Sequence, residues 1–332
     1  MTRATRPTVL VTGGAGFIGG HVVRRLLTAE AAAPGALVRL LVHDRGVTAP
    51  AGATGQTVHG DLCDADSLRG VCDGVDTLVH LAAQVGADME RCRAVNVEGT
   101  RALLAEAARA GVRRIIHLST AAVYGDGPHR GETESLLRPA PVSPTSITRL
   151  AAEESVLSAG GLVLRPHMVY GEGDTWVVPS LVAMLRRVPH WVDEGRARVS
   201  MIAVDDLADA VARLARLRAL PAGRVLHANH PDPVRVRDVV TAVARALHLP
   251  LPQGNVSHDG ALDLLDARND PARARRLSLL AVDHWYESSA LWKLVGADPG
   301  PGFPERFASY AAWYRAAVAA RHGPESAARP AG

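Results

Sequence analysis

Thr12-Gly13-Gly14-Ala15-Gly16-Phe17-Ile18-Gly19 decides how the rest of the chain is read. It follows the apolar run Val9-Leu10-Val11, which reads as a buried strand, and opens a segment of helical periodicity from Phe17 to Ala31. A glycine turn placed between a strand and a helix is the context that gives this spacing meaning. Gly13 allows the tight turn, Gly16 lets backbone approach a pyrophosphate, and Gly19 permits close packing of helix on strand. The helix N-terminus adds free N–H groups and the positive end of its dipole. The expected ligand is a dinucleotide, with Phe17 and Ile18 among its contacts.

Outward from this turn, strand candidates recur at Leu37–Val42, Thr57–His59, Thr77–Leu81 and Arg114–Leu118. Helical patterns fit between them, the clearest from Arg91 to Ala110, ending at Gly111. Strands alternating with helices predict an α/β fold: a Rossmann doubly wound parallel sheet, its strands apolar on both faces because helices cover both. After Leu162-Val163-Leu164-Arg165 the pattern loosens, and a strand at Arg224–His227 and a helix at Arg237–Leu247 appear later. The expected division is a dinucleotide-binding part over 1–165, with segments near 200–230 returning to it. A smaller C-terminal α/β substrate domain would occupy 166–320, and 321–332 would form a flexible tail.

Composition narrows the function classes. Hydrophobic residues at 47% and charged residues at 21% are globular values, which excludes a disordered chain. The net charge of +3 is spread without a basic run, so no nucleic-acid partner is expected. Cys63, Cys72 and Cys92 have no CxxC or histidine spacing and read as buried small hydrophobes, neither a disulfide framework nor a metal site. Met1 to Pro7 run directly into a strand with no h-region, and no apolar stretch is long enough for a bilayer. A cytoplasmic protein, monomeric or homodimeric, with no membrane partner is the expectation. Gly-x-Ser-x-Gly, Gly-Lys-Ser/Thr and His-Glu-x-x-His are all missing from the sequence.

The end of the second strand selects the dinucleotide. An acid there would bond the ribose 2′-hydroxyl and repel a 2′-phosphate. The strand ends Leu41-Val42-His43-Asp44-Arg45, with His43 in the place of the acid and Arg45 close by. Arginine suits a phosphate, so NADP (as NADPH) is expected. A one-residue shift would instead set Asp44 on the ribose of NAD.

Further motifs carry a resemblance. The glycine stretch, Gly60-Asp61-Leu62, His80-Leu81-Ala82-Ala83, Asn96-Val97-Glu98-Gly99-Thr100 and Ser119-Thr120-Ala121-Ala122-Val123-Tyr124-Gly125 are similar to those of the extended short-chain dehydrogenases/reductases. So are Arg165-Pro166 through Tyr170-Gly171, Val204-Asp205-Asp206-Leu207 and Leu294-Val295-Gly296 before Trp313-Tyr314. The resemblance implies that Asp61 and Leu62 hold the adenine, that Leu81, Ala82 and Ala83 lie along the cofactor, and that His167 touches it. It implies that Thr120 orients a substrate carbonyl.

Such proteins also carry Tyr-x-x-x-Lys at a helix start, usually just after Ser-Pro. The tyrosine moves the proton that accompanies hydride transfer, a contribution of roughly 10²–10⁴-fold. Here the segment reads Ser143-Pro144-Thr145-Ser146-Ile147-Thr148-Arg149, which sets Thr145 in the tyrosine place and Arg149 in the lysine place. Arg149 can still bond a ribose, but a threonine hydroxyl is far less acidic than a phenol. The proton then comes from water, from a relay through Thr145 or Ser143, or from a hydroxyl of the substrate. The alternative is a silent, cofactor-binding sensor or scaffold. Relatives acting on nucleotide sugars carry an Asn and an Arg where Met168 and Val199 stand, which weakens an epimerase or reductase of that kind. Trp176, Trp191, His167 and Tyr170 offer walls for a flat ligand. The expected substrate is a ketone on an aromatic or polycyclic molecule, as for an atypical ketoreductase of antibiotic biosynthesis that also lacks the tyrosine.

Overall fold

The computed structural model describes residues 7–28, 37–43 and 55–321. Asp44 and Arg45, the expected end of the first helix at Ala31, and the tail from His322 lie outside the described residues.

Seven parallel strands form the main sheet: β1 Thr8–Thr12, β2 Leu37–Val42, β3 Gln56–His59, β4 Thr77–His80, β5 Arg114–Leu118, β6 Leu162–Arg165 and β7 Arg224–His227, in the order β7-β6-β5-β4-β1-β2-β3. The register sets Val9 beside Thr77 and Val38, and Ile116 beside Val79 and Leu162. Alternation along each strand feeds two cores. Val9, Val11, Val79 and Ile116 face α1 (Phe17–Thr28), with Val22 and Leu26, on one side. Leu10, Leu78, Ile115 and Val163 pack on Leu103, Ala107 and Val156 on the other. The strand order reverses between β1 and β4, so a crevice opens at their carboxyl ends, where doubly wound sheets bind ligands.

The helix expected from Arg91 to Ala110 is two helices, α2 (Met89–Arg93) and α3 (Thr100–Arg109), joined by a wide turn over Ala94–Gly99. The physical reason lies in Asn96 and Gly99. The Asn96 amide bonds the main chain of Gln84 and the hydroxyl of Thr148, and a Cβ on Gly99 would stand 2.7 Å from Leu62 Cβ. Both contacts need the helix locally unwound toward the crevice. Below it, α4 (Pro144–Ser158) starts with Pro144 behind a Ser143 cap, as the sequence pattern requires.

The second half is built from α5 (Val177–Arg187), α6 (Val204–Leu214), α7 (Val236–Ala246), α8 (His258–Leu264), α9 (Pro271–Ala281), α10 (Ser289–Val295) and α11 (Phe303–Arg321). Short strands accompany them. Met168–Tyr170 pairs with Met201–Ala203, and Val234–Arg235, Arg198–Val199, His284–Tyr286 and His129–Glu132 make a four-stranded sheet. A core of Met168, Tyr170, Leu181, Phe303, Phe307 and Tyr314 fills this half. α6 and α10 cross back: Leu207, Val211, Leu291 and Trp292 share one cluster with β1 and α1. Asp205 bonds His21 of α1 (2.8 Å) and Tyr310 of α11 (2.7 Å), so the Val204-Asp205-Asp206-Leu207 motif locks three helices together. Cys72 and Cys92 are buried as expected of small hydrophobes, whereas Cys63 is exposed. No helix among the described residues is long and apolar enough to cross a membrane.

Candidate active site

The glycine turn is held from below. Gly13 takes φ +69°, and a Cβ there would stand 2.6 Å from the amide nitrogen of Ala82, so the turn is pressed onto the chain leaving β4. A Cβ on Gly19 would lie 2.0 Å from the Gly13 carbonyl oxygen, which only glycine tolerates. Gly16 is exposed at the entry of α1, where the first N–H groups of the helix are free for phosphate oxygens. Thr12 fixes the floor: the Ala82 N–H donates to its Oγ1 (3.2 Å), which bonds His80 Nδ1 (2.7 Å), while His80 Nε2 reaches Thr100 Oγ1 (2.9 Å). Burial, helped by the positive charge of Arg149, pushes the His80 imidazole down to about 3, so it is a neutral bridge between β1, β4 and α3. No group of three or more His, Cys, Asp and Glu among the described residues could hold a metal ion.

Beyond β3, one Asp61 carboxylate oxygen accepts the Cys63 N–H (2.8 Å) and the other lies 3.0 Å from His43 Nε2. The His43 side chain is 72% exposed, free to meet a ligand arriving over β2. Leu62 rests on Gly99, which explains the glycine in the 96–100 motif.

The loop from Leu81 through Ala82 and Ala83 to Gly86 is clamped twice. Asn96 Oδ1 accepts the Gln84 N–H (2.7 Å) and its Nδ2 donates to the Gln84 carbonyl (2.9 Å). Thr145 Oγ1 accepts the Gly86 N–H (3.0 Å) and donates to the Gly86 carbonyl (3.1 Å). The Thr145 hydroxyl is thus engaged with main chain. Ser143 is engaged too, as the cap of α4: its Oγ accepts the Ser146 N–H (3.1 Å) and bonds Ser146 Oγ (2.9 Å). Thr120 Oγ1 accepts the Ala122 N–H (3.1 Å) and donates to nothing among the described residues, which leaves its hydrogen for a ligand.

Arg149 is buried, donating through Nη2 to the Leu118 carbonyl, with Nε unpartnered. Burial pulls its guanidinium down to about 10 against the pull of Glu153, yet Glu153 itself is bonded to Arg165 and Ser119. A buried cation with an orphan donor beside the carboxyl end of β5 fits a hydroxyl-rich group such as a ribose. Together with the glycine cradle, this passes the test of fit for a nicotinamide dinucleotide laid across β1, β4 and β5. Tyr124, although a phenol, is no substitute acid. It is 3% exposed, accepts from Arg165 Nη1 (2.7 Å), bonds His227 Nε2 (2.7 Å), and burial pushes it up to about 12.

Of the expected aromatic walls, the structure does not bring all four together. Tyr170 is buried against Phe303, Phe307 and Tyr310, and Trp191 lies under the Arg237 guanidinium, 4.4 Å from ring centre. His167 follows β6 with its N–H on Asn229, its ring stacked on His284 at 5.6 Å, and Nε2 unpartnered. Trp176 is 47% exposed at the start of α5. Asn96 and His80 were missed as site-building residues. The only signal was their place inside the 96–100 and 80–83 motifs, since what they bind lies far along the chain.

Comparison with known proteins agrees with this geometry. Residues 9–228 match the NAD dependent epimerase/dehydratase family. The chain is 34% identical over 265 residues to a 4-hydroxy-2-methyl-3-oxo-4-farnesyl-3,4-dihydroquinoline-1-oxide ketoreductase of Stigmatella aurantiaca, covering 76% of each. It is 27% identical to a 2-alkyl-3-oxoalkanoate reductase of Stenotrophomonas maltophilia, over 84% of this chain and 90% of the other. Among solved structures, a double mutant of the dTDP-glucose 4,6-dehydratase DesIV from Streptomyces venezuelae, with NAD bound, superposes at a TM-score of 0.70 and 25% identity, covering 92% of this chain and 96% of that one. The chain belongs to the NAD dependent epimerase/dehydratase family, the extended short-chain dehydrogenases/reductases, as an NAD(P)-dependent oxidoreductase.

Proposed function

We propose that the chain is an NADPH-dependent ketoreductase acting on a ketone carried by an aromatic or polycyclic molecule, without a tyrosine acid. The observation that carries this reading is the state of the three candidate hydroxyls, Thr120 after β5 and Ser143 and Thr145 at the start of α4. Ser143 and Thr145 are engaged with a helix cap and a main-chain loop, while Thr120 keeps a free O–H. The ketoreductase relative and the reductase of 3-oxoalkanoates support the reaction class, since both names describe reduction of a keto group.

The dinucleotide supplies a hydride to the carbonyl carbon when bound. Glycines 13, 16 and 19 would receive its pyrophosphate, Asp61 and Leu62 its adenosine, Leu81 to Ala83 its length, and Arg149 a ribose. Thr120 donates to the carbonyl oxygen and so orients it and steadies the developing negative charge. Arg149 adds positive potential from below, in a low-dielectric place where it is strongly felt. The proton that completes the alcohol comes from water or a neighbouring hydroxyl of the substrate. Thr145 holds the loop and does not serve as the acid.

Thr120→Ala should lower kcat by about 10²-fold, the cost of one donor at the developing oxyanion. Thr145→Ala should cost less than about tenfold and act through the 81–86 loop. Steady-state kinetics on an aromatic ketone decide the matter, and a larger loss at Thr145 than at Thr120 reverses the assignment. A protein that binds NADPH tightly but turns over no ketone in a broad screen is a sensor.

The cofactor preference rests on His43, which stands exposed at the end of β2 with Nε2 3.0 Å from an Asp61 carboxylate oxygen. Arg45, two residues on in the sequence, is the cation that a 2′-phosphate would call for. NADPH should bind at least tenfold tighter than NADH, about 1.4 kcal/mol. Calorimetry showing equal affinity, or a preference for NADH, rejects the phosphate site.

A further inference from the structure

A cavity of about 300 Å³ lies between α5 and α9, with Thr175 of the segment 171–176 in its lining. That segment is rigid. Asp174, 2% exposed, accepts the N–H groups of Trp176, Val177 and Val178 and the hydroxyl of Tyr314. Gly173 runs so close to Phe17 that a Cβ there would stand 3.0 Å from its ring, and Thr175, two residues on, lines the cavity. The cavity is therefore fixed in place relative to the dinucleotide turn.

Its lining joins two chemistries. Met184, Leu277 and Leu280 form apolar walls, and Arg187, Arg273 and Arg276 line the same space. Arg187 Nη2 and Arg273 Nη1 both donate to one oxygen, the Leu265 carbonyl, at 3.4 and 3.3 Å. Two guanidinium groups drawn to one neutral acceptor repel each other unless an anion comes between them. Only Arg273 has a carboxylate partner among the described residues, Asp270 at 3.0 Å. Arg276 donates to its own helix, to the Ala272 carbonyl. Positive charge in excess of its partners, set in apolar walls, selects a ligand with an acidic group on an apolar body.

We propose that this cavity binds the acidic end of the substrate, a carboxylate on an aromatic or otherwise apolar body, through Arg187, Arg273 and Arg276. The inference rests on the ketoreductase reading for calling that molecule the substrate, while the acid site itself stands on the cavity. The apolar walls of Met184, Leu277 and Leu280 favour an apolar body behind the acidic group, and a nucleoside diphosphate, whose phosphates the same arginines also suit, is the competing occupant in the test.

The test is binding, so that it does not depend on turnover. The full chain loaded with NADP is titrated with 2-naphthoate and with uncharged 2-naphthamide by calorimetry. Naphthoate should bind at least about tenfold tighter, and high salt should shrink the gap. Arg187→Gln/Arg276→Gln, at exposed positions, should reduce it below about threefold with cofactor affinity unchanged; Arg276→Gln alone, should the double variant not fold, should at least halve it. Equal affinities in the wild type, or a gap untouched by the variants, overturn the proposal. So does a nucleoside diphosphate that binds more tightly than naphthoate and is lost in the same variants. An acid preference that persists in a protein with no ketone turnover upholds the cavity and counts against ketoreduction alone.

Discussion

Glu153→Gln should cost about 3–5 kcal/mol of stability, the penalty for leaving one partner of a buried ion pair uncompensated. Glu153 is fully buried and Arg165 is 5% exposed, and the Arg165 Nε stands 3.1 Å from each carboxylate oxygen. Gln preserves shape but turns one acceptor into a donor facing a cation. The damage extends beyond the pair. Ser119 also bonds Glu153, and Arg165 passes on to Tyr124 and His227, so β5, β6, β7 and α4 lose a shared anchor. Because Ser119 precedes Thr120, turnover should fall as well. Denaturant unfolding at constant m measures the loss, and a change under about 1 kcal/mol contradicts it. Glu153→Leu/Arg165→Met should recover much of the deficit, since no charge is then stranded.

Acid should unfold the protein well above the ordinary carboxylate range. His80, His117, His129, His167, His227 and His284 are all lowered below the usual histidine range, with burial the leading cause in each. A group whose native pKa is depressed lends its stability above the unfolded value of about 6.5 and loses it as pH falls. His80 and His117 sit at the sheet centre, their rings 5.0 Å apart, near Arg149, so neither is easily charged in the native state. Each then contributes a loss of about 1.4 kcal/mol per pH unit below 6.5. The two together remove about 5 kcal/mol by pH 4.5, comparable with the whole stability of an ordinary domain. Asp205, held low first by its bond to His21, loses its own contribution only under more acidic conditions. Denaturation midpoints from pH 7.5 to 4.5 check the slope. His117→Leu should flatten it by about one proton, and a midpoint that stays level across this range defeats the expectation.

The sheet was legible because its signals are local. A strand, a glycine turn and a helix follow one another within twenty residues, and β4 and β5 are short apolar runs at regular spacing. The second half was mostly illegible for the opposite reason. Strands of two or three residues, such as Trp191–Val192 and Arg198–Val199, carry no period, and their partners lie far off in the chain. The glycines could be proposed as a set because they lie between a strand and the helix it feeds, whereas Asp61 and Leu62 entered only through the resemblance. The environment of Arg149 could not be read: that its guanidinium turns inward to Leu118, while Glu153 one turn on serves Arg165, depends on β6 arriving beside β5. Likewise the hydroxyl of Thr145 meets Gly86 only after the two segments, 59 residues apart, are folded together.

The edge strand β7 arrives late. Residues 224–227 complete the sheet on β6, and α6 and α10 cover the face of β1 and α1. During synthesis the amino-terminal half therefore emerges with β6 unpaired along one side and without the apolar cover of Leu207, Val211, Leu291 and Trp292, for the time a ribosome needs to add some sixty residues or more. An exposed strand edge beside an apolar face is a template for association between nascent chains. Fragments cut at residue 165 should precipitate when expressed, and in the cell this interval is where a holding chaperone would act.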